Sequence, residues 1–140
     1  MAARPLAEVT VGDTIGPVTV PVTRADLVAY ANASGDQNPI HQDEDFARSV
    51  GLPDVIAHGM WTMGAVGSVV SAWAGDAGRV VEYGTRFTKP IVVPSSGAEV
   101  VVEGTVKAVD ADTGRVTVDV LATSEGQKVL GRCVAVVRLD

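Results

Sequence analysis

The chain has 140 residues, enough for a domain with a real hydrophobic core. Apolar residues make up 46% of it and charged residues 20%, a globular balance that excludes a disordered segment. The net charge of −6, with no cluster of lysines and arginines, argues against nucleic acid as a partner. Any anionic ligand must instead meet basic residues gathered locally. Cys133 is the only cysteine, so no disulfide framework exists and a reducing, cytoplasmic setting is expected. Its apolar run, Cys133-Val134-Ala135-Val136-Val137, marks it as a core residue. The start, Met1-Ala2-Ala3-Arg4-Pro5, carries no apolar signal segment, and no repeat or linker divides the chain. One domain over residues 1–140 is expected.

Val9 to Val22 holds β-branched residues interrupted by Gly12-Asp13 and Gly16-Pro17, which reads as a strand with turns. Thr23, with Asp26 three residues on, is an N-cap signature for a helix carrying Leu27, Val28, Tyr30 and Ala31. That helix ends near Ser34-Gly35. A polar turn follows to His41, and Asp43 caps a short helix, Glu44 to Val50, closed by Gly51 and Pro53.

Ala57-His58-Gly59-Met60 to Trp73-Ala74 then forms a long apolar run without proline or charge. It predicts one helix buried nearly all round. Gly59, Gly64, Ala65, Gly67, Ser68, Ser71 and Ala72 suit close packing against a sheet. A membrane span is the rival reading. His58, Thr62, the serines and the glycines count against it, as does the lack of basic flanks.

Beyond Gly75 the texture is strand-like: Arg79–Lys89, Glu99–Ala108, Arg115–Ala122 and Lys128–Leu139, rich in valine. The turns Asp112-Thr113-Gly114 and Ser124-Glu125-Gly126-Gln127 predict consecutive antiparallel hairpins. Val116-Thr117-Val118-Asp119-Val120 alternates, giving one wet and one dry face. The expected fold is α+β, with a meander curled around the long helix.

Gly35-Asp36-Gln37-Asn38-Pro39-Ile40-His41 holds the acid–imidazole pair that local geometry can bring together. Pro39 drives Asn38 out of the helical region, so the segment turns and can set Asp36 and His41 a few ångströms apart. An ordinary turn aspartate and a surface histidine are the bland alternative. The start of the buried helix, His58-Gly59-Met60, adds unpaired amides and the positive end of a dipole. With two histidines, no His-x-x-x-His spacing and one cysteine, neither a metal site nor a cofactor is expected.

Ser34-Gly35-Asp36-Gln37-Asn38-Pro39-Ile40-His41 followed by Ile56-Ala57-His58-Gly59-Met60 resembles the hot-dog-fold MaoC-like hydratase/dehydratase family. Arg86-Phe87-Thr88-Lys89-Pro90 fits the same pattern, and the resemblance covers nearly the whole chain. Thr62-Met63-Gly64 and Ser71-Ala72-Trp73 extend it to the catalytic B subunit of the (3R)-hydroxyacyl-ACP dehydratase. It implies reversible dehydration of (3R)-hydroxyacyl thioesters, or hydration of trans-2-enoyl thioesters, carried on ACP or CoA. It implies that Asp36 and His41 are the catalytic pair, that Asn38 supports them, and that the Gly59 amide receives the thioester oxygen. His58 stands beside Gly59 as a further candidate there, facing substrate or satisfying a nearby backbone group. Arg86 and Lys89 are candidates for a basic rim that meets a carrier phosphate. The resemblance also implies a dimer, with a second copy or with a distinct hot-dog subunit. One departure is clear: many hydratases of the family place a serine eight residues after the glycine, to orient the aspartate, and here that position is Gly67, with Ser68 beside it. Two other readings remain open: an idle subunit that binds acyl chains, and a hot-dog thioesterase.

Overall fold

The computed structural model describes residues 2–140. A 3-10 turn, Leu6–Glu8, precedes strand β1 (Thr14–Val22). Helix α1 (Arg24–Ser34), a second 3-10 turn (Pro39–His41) and helix α2 (Glu44–Ser49) lead to helix α3 (Gly59–Ala74). Strands β2 (Val80–Phe87), β3 (Ala98–Asp110), β4 (Arg115–Ser124), β5 (Gln127–Lys128) and β6 (Leu130–Arg138) complete the chain. All pairings are antiparallel, and the sheet runs β1-β3-β4-β6-β2, with β5 on β4. The sheet packs against α3 through β1, β2, β3 and β6. This is the hot-dog architecture.

Local chemistry places the elements. The Thr23 hydroxyl accepts from the Asp26 amide while the Asp26 carboxyl accepts from the Thr23 amide, a complete capping box at α1. Gly35 ends α1 in the left-handed region at φ 82°, which glycine reaches without strain. Along β4, Val116, Val118, Val120 and Ala122 are buried while Asp119 and Leu121 face out. Val100, Val102 and Val106 of β3 do the same on the neighbouring strand. Each fully buried valine contributes about 1.5–3 kcal/mol, so the dry face of the sheet is the main source of stability.

Several expectations are corrected. The first strand begins at Thr14, because Val9 to Asp13 turns with Asp13 accepting from the Thr10 amide. Helix α3 starts at Gly59, since Ala57 pairs its amide with the Ile91 carbonyl and His58 is extended. It is also not buried all round: Met60, Gly64, Ser68 and Ala72, spaced by four, form an exposed stripe. The strands follow as consecutive hairpins only from β3 onward. β2 pairs with β6, and residues 88–97 cross over with Pro90 and Pro94, which cannot serve a tight two-residue hairpin. The last strand divides at Val129, and a register shift lies between Gly84 and Arg86 opposite β6. No helix among the described residues is long and apolar enough to cross a membrane.

Candidate active site

Two segments meet at the amino end of α3. Asn38 has φ −56° and ψ 124°, the extended setting that Pro39 enforces, and its Oδ1 accepts from the Ile40 amide. The Asp36 carboxyl accepts from the Asn38 amide at 3.1 Å, which pins the acid within its own turn. The Ile56 amide donates to the Ile40 carbonyl at 3.1 Å, stitching the turn to the strand-like stretch before α3. Behind this stretch lies an ionic clamp. Asp54, nearly buried, accepts from Arg24 at 2.7 Å and from the Val55 amide at 2.8 Å. Arg24 also reaches Glu44 and the Val93 carbonyl, and Arg48 pairs with Glu44.

His41 and His58 stack with ring centroids 3.8 Å apart and planes 22° from parallel. A carboxyl oxygen of Asp36 and a ring nitrogen from each histidine all lie within 4.8 Å of one another. His41 Nδ1 is 2.6 Å from the Ile56 carbonyl oxygen. A carbonyl oxygen only accepts, so Nδ1 carries the proton and Nε2 keeps its lone pair. His58 Nε2 donates to the Asp36 backbone carbonyl at 3.1 Å by the same logic, which leaves its Nδ1 bare, buried and without a partner. Burial pushes the His41 pKa below its ordinary 6.5. The Ile56 hydrogen bond opposes this, His58 adds to it, and Asp36 works weakly against it. The result is an imidazole held neutral near pH 7, with a free lone pair beside a carboxyl group.

His41 and Gly59 line a cleft of about 340 Å³ whose walls include Thr62, Phe87, Ile91 and Leu130. No side chain caps α3, so its first-turn amides stay available at the positive end of the helix. Phe87, on β2, lies over Gly59: a Cβ there would meet the ring at 3.2 Å. A larger residue at this position would have to push the Phe87 ring aside by a few tenths of an ångström. Lys89 lines the cleft just past the end of β2, whereas Arg86 is exposed on the strand and does not. Asp36 and Asn38 are exposed and do not line the cleft, and His58 stacks on His41, also away from the cleft lining.

The position of the expected serine is occupied differently. A Cβ at Gly67 would come within 2.9 Å of the Tyr83 ring, whose hydroxyl donates to the Met63 carbonyl. Ser68 is on the exposed stripe and donates to Ala65 within its own helix, so it does not orient Asp36. The Asn38 amide holds the Asp36 carboxyl, and His58 holds its backbone. As a metal cradle the trio of Asp36, His41 and His58 fits poorly, because stacked, nearly parallel rings send their in-plane lone pairs side by side.

Residues 7–126 match the MaoC like domain. The chain belongs to that family. Among curated relatives, 3-hydroxyacyl-thioester dehydratase X of Mycobacterium tuberculosis is 42% identical over 83 residues, which is 59% of this chain and 29% of that protein. The 3-hydroxybutyryl-CoA dehydratase of Methylorubrum extorquens is 32% identical over 71 residues, 50% of this chain and 45% of that one. The chain thus spans less than half the length of either. A solved MaoC-like dehydratase superposes with a TM-score of 0.96 at 41% identity, over 99% of this chain and 43% of that chain. The R-hydratase PhaJ1 from Pseudomonas aeruginosa superposes at 0.85 and 25% identity, covering 99% and 87%.

Sequence reasoning missed the Ile56 carbonyl, Phe87 as the cover over Gly59, and the Arg24–Asp54 clamp. The first and last are contacts between distant segments and leave no local signal. Phe87 left one: a large apolar side chain between Arg86 and Thr88 on a polar edge.

Proposed function

We propose that this chain catalyses the reversible, (R)-specific dehydration of 3-hydroxyacyl thioesters, equivalently the hydration of trans-2-enoyl thioesters. The observation that carries the reading is the His41 tautomer: Nδ1–H anchored to Ile56, Nε2 bare, and the Asp36 carboxyl within 4.8 Å. In the dehydration direction His41 Nε2 removes the C2 proton. Electrons move into the C2–C3 double bond as the C3–O bond breaks, and Asp36 gives or relays the proton that lets the oxygen leave as water. Charge building on the thioester oxygen meets the Gly59 amide and the helix dipole. In hydration the same pair activates a water between them. The Asn38 turn keeps the acid in place throughout.

The carrier is CoA or ACP, and Lys89 at the cleft, with Arg86 further out, is the basic rim for its phosphate. The names of the relatives support the reaction class, since several are dehydratases or hydratases of acyl thioesters. A second hot-dog unit, identical or related, is the proposed partner. It would cover the free edges of β1 and β2 and the exposed stripe of α3. A lone, buried thiol suits the cytoplasm as its setting.

The test is the loss of enoyl absorbance when a short trans-2-enoyl-CoA is mixed with the protein, alone and then with a candidate partner. Turnover that yields the (R)-3-hydroxy product supports the reading. No change in either mixture favours a role in acyl binding, and release of free thiol favours a thioesterase.

A further inference from the structure

His58 does not line the cleft, yet it is 2% exposed and more tightly enclosed than the histidine it stacks on. It stands immediately before the helix that starts at Gly59, and its ring leaves the helix without capping it. Instead the ring turns toward the other segment. His58 Nε2 donates to the carbonyl of Asp36, while His41 Nδ1 donates to the carbonyl of Ile56. The two imidazoles therefore exchange hydrogen bonds crosswise: each belongs to one segment and grips the backbone of the other. Between them lies the 3.8 Å stack, and the Tyr30 ring of α1 also approaches His58, at 4.8 Å and tilted by 60°.

An unpartnered buried nitrogen costs stability, because the water it gave up is not replaced. His58 Nδ1 is such an atom. An apolar ring would fill the same space without that cost. What an apolar ring cannot supply is the donor to Asp36. The arrangement thus accepts one bare atom to keep another atom's bond.

We propose that His58 is the positioning residue of the site, fixing the Asp36 turn against the His41 ring and the start of α3 through its Nε2–H. Without it the far end of the turn stays tied to Ile56 through Ile40 and His41, but Asp36 itself keeps only the bonds to the Asn38 amide and the Ser34 hydroxyl, with nothing to the residues that open α3. The acid then drifts relative to the base. A drift near 1 Å between reacting groups lowers rate by up to about a hundredfold. The turnover part of this inference rests on the hydratase reading; its structural part does not.

Two substitutions separate donor from shape. His58→Phe keeps a flat ring for the stack and removes the donor; His58→Gln keeps an amide N–H that reaches as Nε2 does and removes the ring. In steady-state hydration of a short enoyl-CoA, His58→Phe lowers kcat at least about tenfold with KM little changed, and His58→Gln stays within about threefold of the parent. Wild-type kcat in His58→Phe, or a loss confined to KM, overturns the proposal. So does equal impairment of the two variants.

A second measurement needs neither turnover nor folded variants. Ring 15N shifts of the unaltered protein assign His58 as the Nε2–H tautomer and His41 as Nδ1–H; a His58 carrying its proton on Nδ1 overturns the proposal. Where the variants fold, exchange of the Asn38 amide, which donates to the Asp36 carboxyl, quickens in His58→Phe and returns toward the parent rate in His58→Gln. Unchanged exchange in His58→Phe also overturns it. If the unaltered protein turns over no enoyl thioester while these signatures hold, the hydratase reading fails and the positioning role stands.

Discussion

The valine-rich sheet and the polar corner at the start of α3 are held together by opposite means. In the sheet, Val102, Val106, Val116 and Val118 gain stability from area removed from water, and no single atom must meet another. At the corner, Asp36, His41, Ile56 and His58 are placed by named donors and acceptors at 2.6 to 3.1 Å. A region built on area tolerates exchange of like volumes; a region built on atom pairs does not. Damage to the sheet should therefore register in stability, and damage to the corner in chemistry.

The sharpest way to break this contrast is at the pair itself. Asp36→Asn should lower turnover by about two to four orders of magnitude while the melting temperature hardly moves, and His41→Ala should lower it as far with some loss of stability, since a buried ring and its bond to Ile56 go with it. Enoyl-CoA kinetics beside calorimetry checks both at once, and equal activity in either variant defeats the assignment. Arg24→Met should cost about 2 kcal/mol in urea unfolding, because the nearly enclosed Asp54 carboxyl loses its 2.7 Å partner and keeps only Arg48 at 3.9 Å. That clamp sits under the 54–58 stretch, so this variant should lose stability and rate together although it touches neither member of the pair. Val118→Ala should cost about 2 kcal/mol and leave kcat/KM near its parent value, the pure sheet phenotype.

The smallest effect is one of pH. Because burial lowers the His41 pKa, the acid limb of kcat/KM should lie below 6.5, where the ordinary imidazole titrates. The sign for stability follows. As pH falls below 6.5 the unfolded chain takes up the proton first, so the contribution of the site is full above 6.5 and falls away down through the folded value. Urea titrations at a series of pH values read this slope, and it should flatten in His41→Ala.

Much of the corner was legible because its signals are local. Gly35 ends one helix, Pro39 forbids Asn38 from starting another, and six residues then carry both an acid and an imidazole around a bend. The capping box at Thr23 and the alternation in β4 were legible for the same reason. Long-range choices were not. That β2 pairs with β6, and not with β3, depends on a crossover whose prolines rule out a tight turn without naming the partner strand. The exposed stripe of α3 was hidden because small residues suit a packed face and an open one equally well. The partner of the His58 ring lies 22 residues away, across a fold that has to form first.

Gly67 bears on how this sequence can change. The Tyr83 ring fills the space a larger residue would need there, and its hydroxyl is tied to Met63. Introducing the serine found in many hydratases therefore requires the Tyr83 ring to shift and strains its bond to Met63, a cost that a smaller residue at position 83 removes. The two positions are coupled, and the path is easier when position 83 changes first. A lineage that crossed in that order would arrive at a different way of holding the same acid.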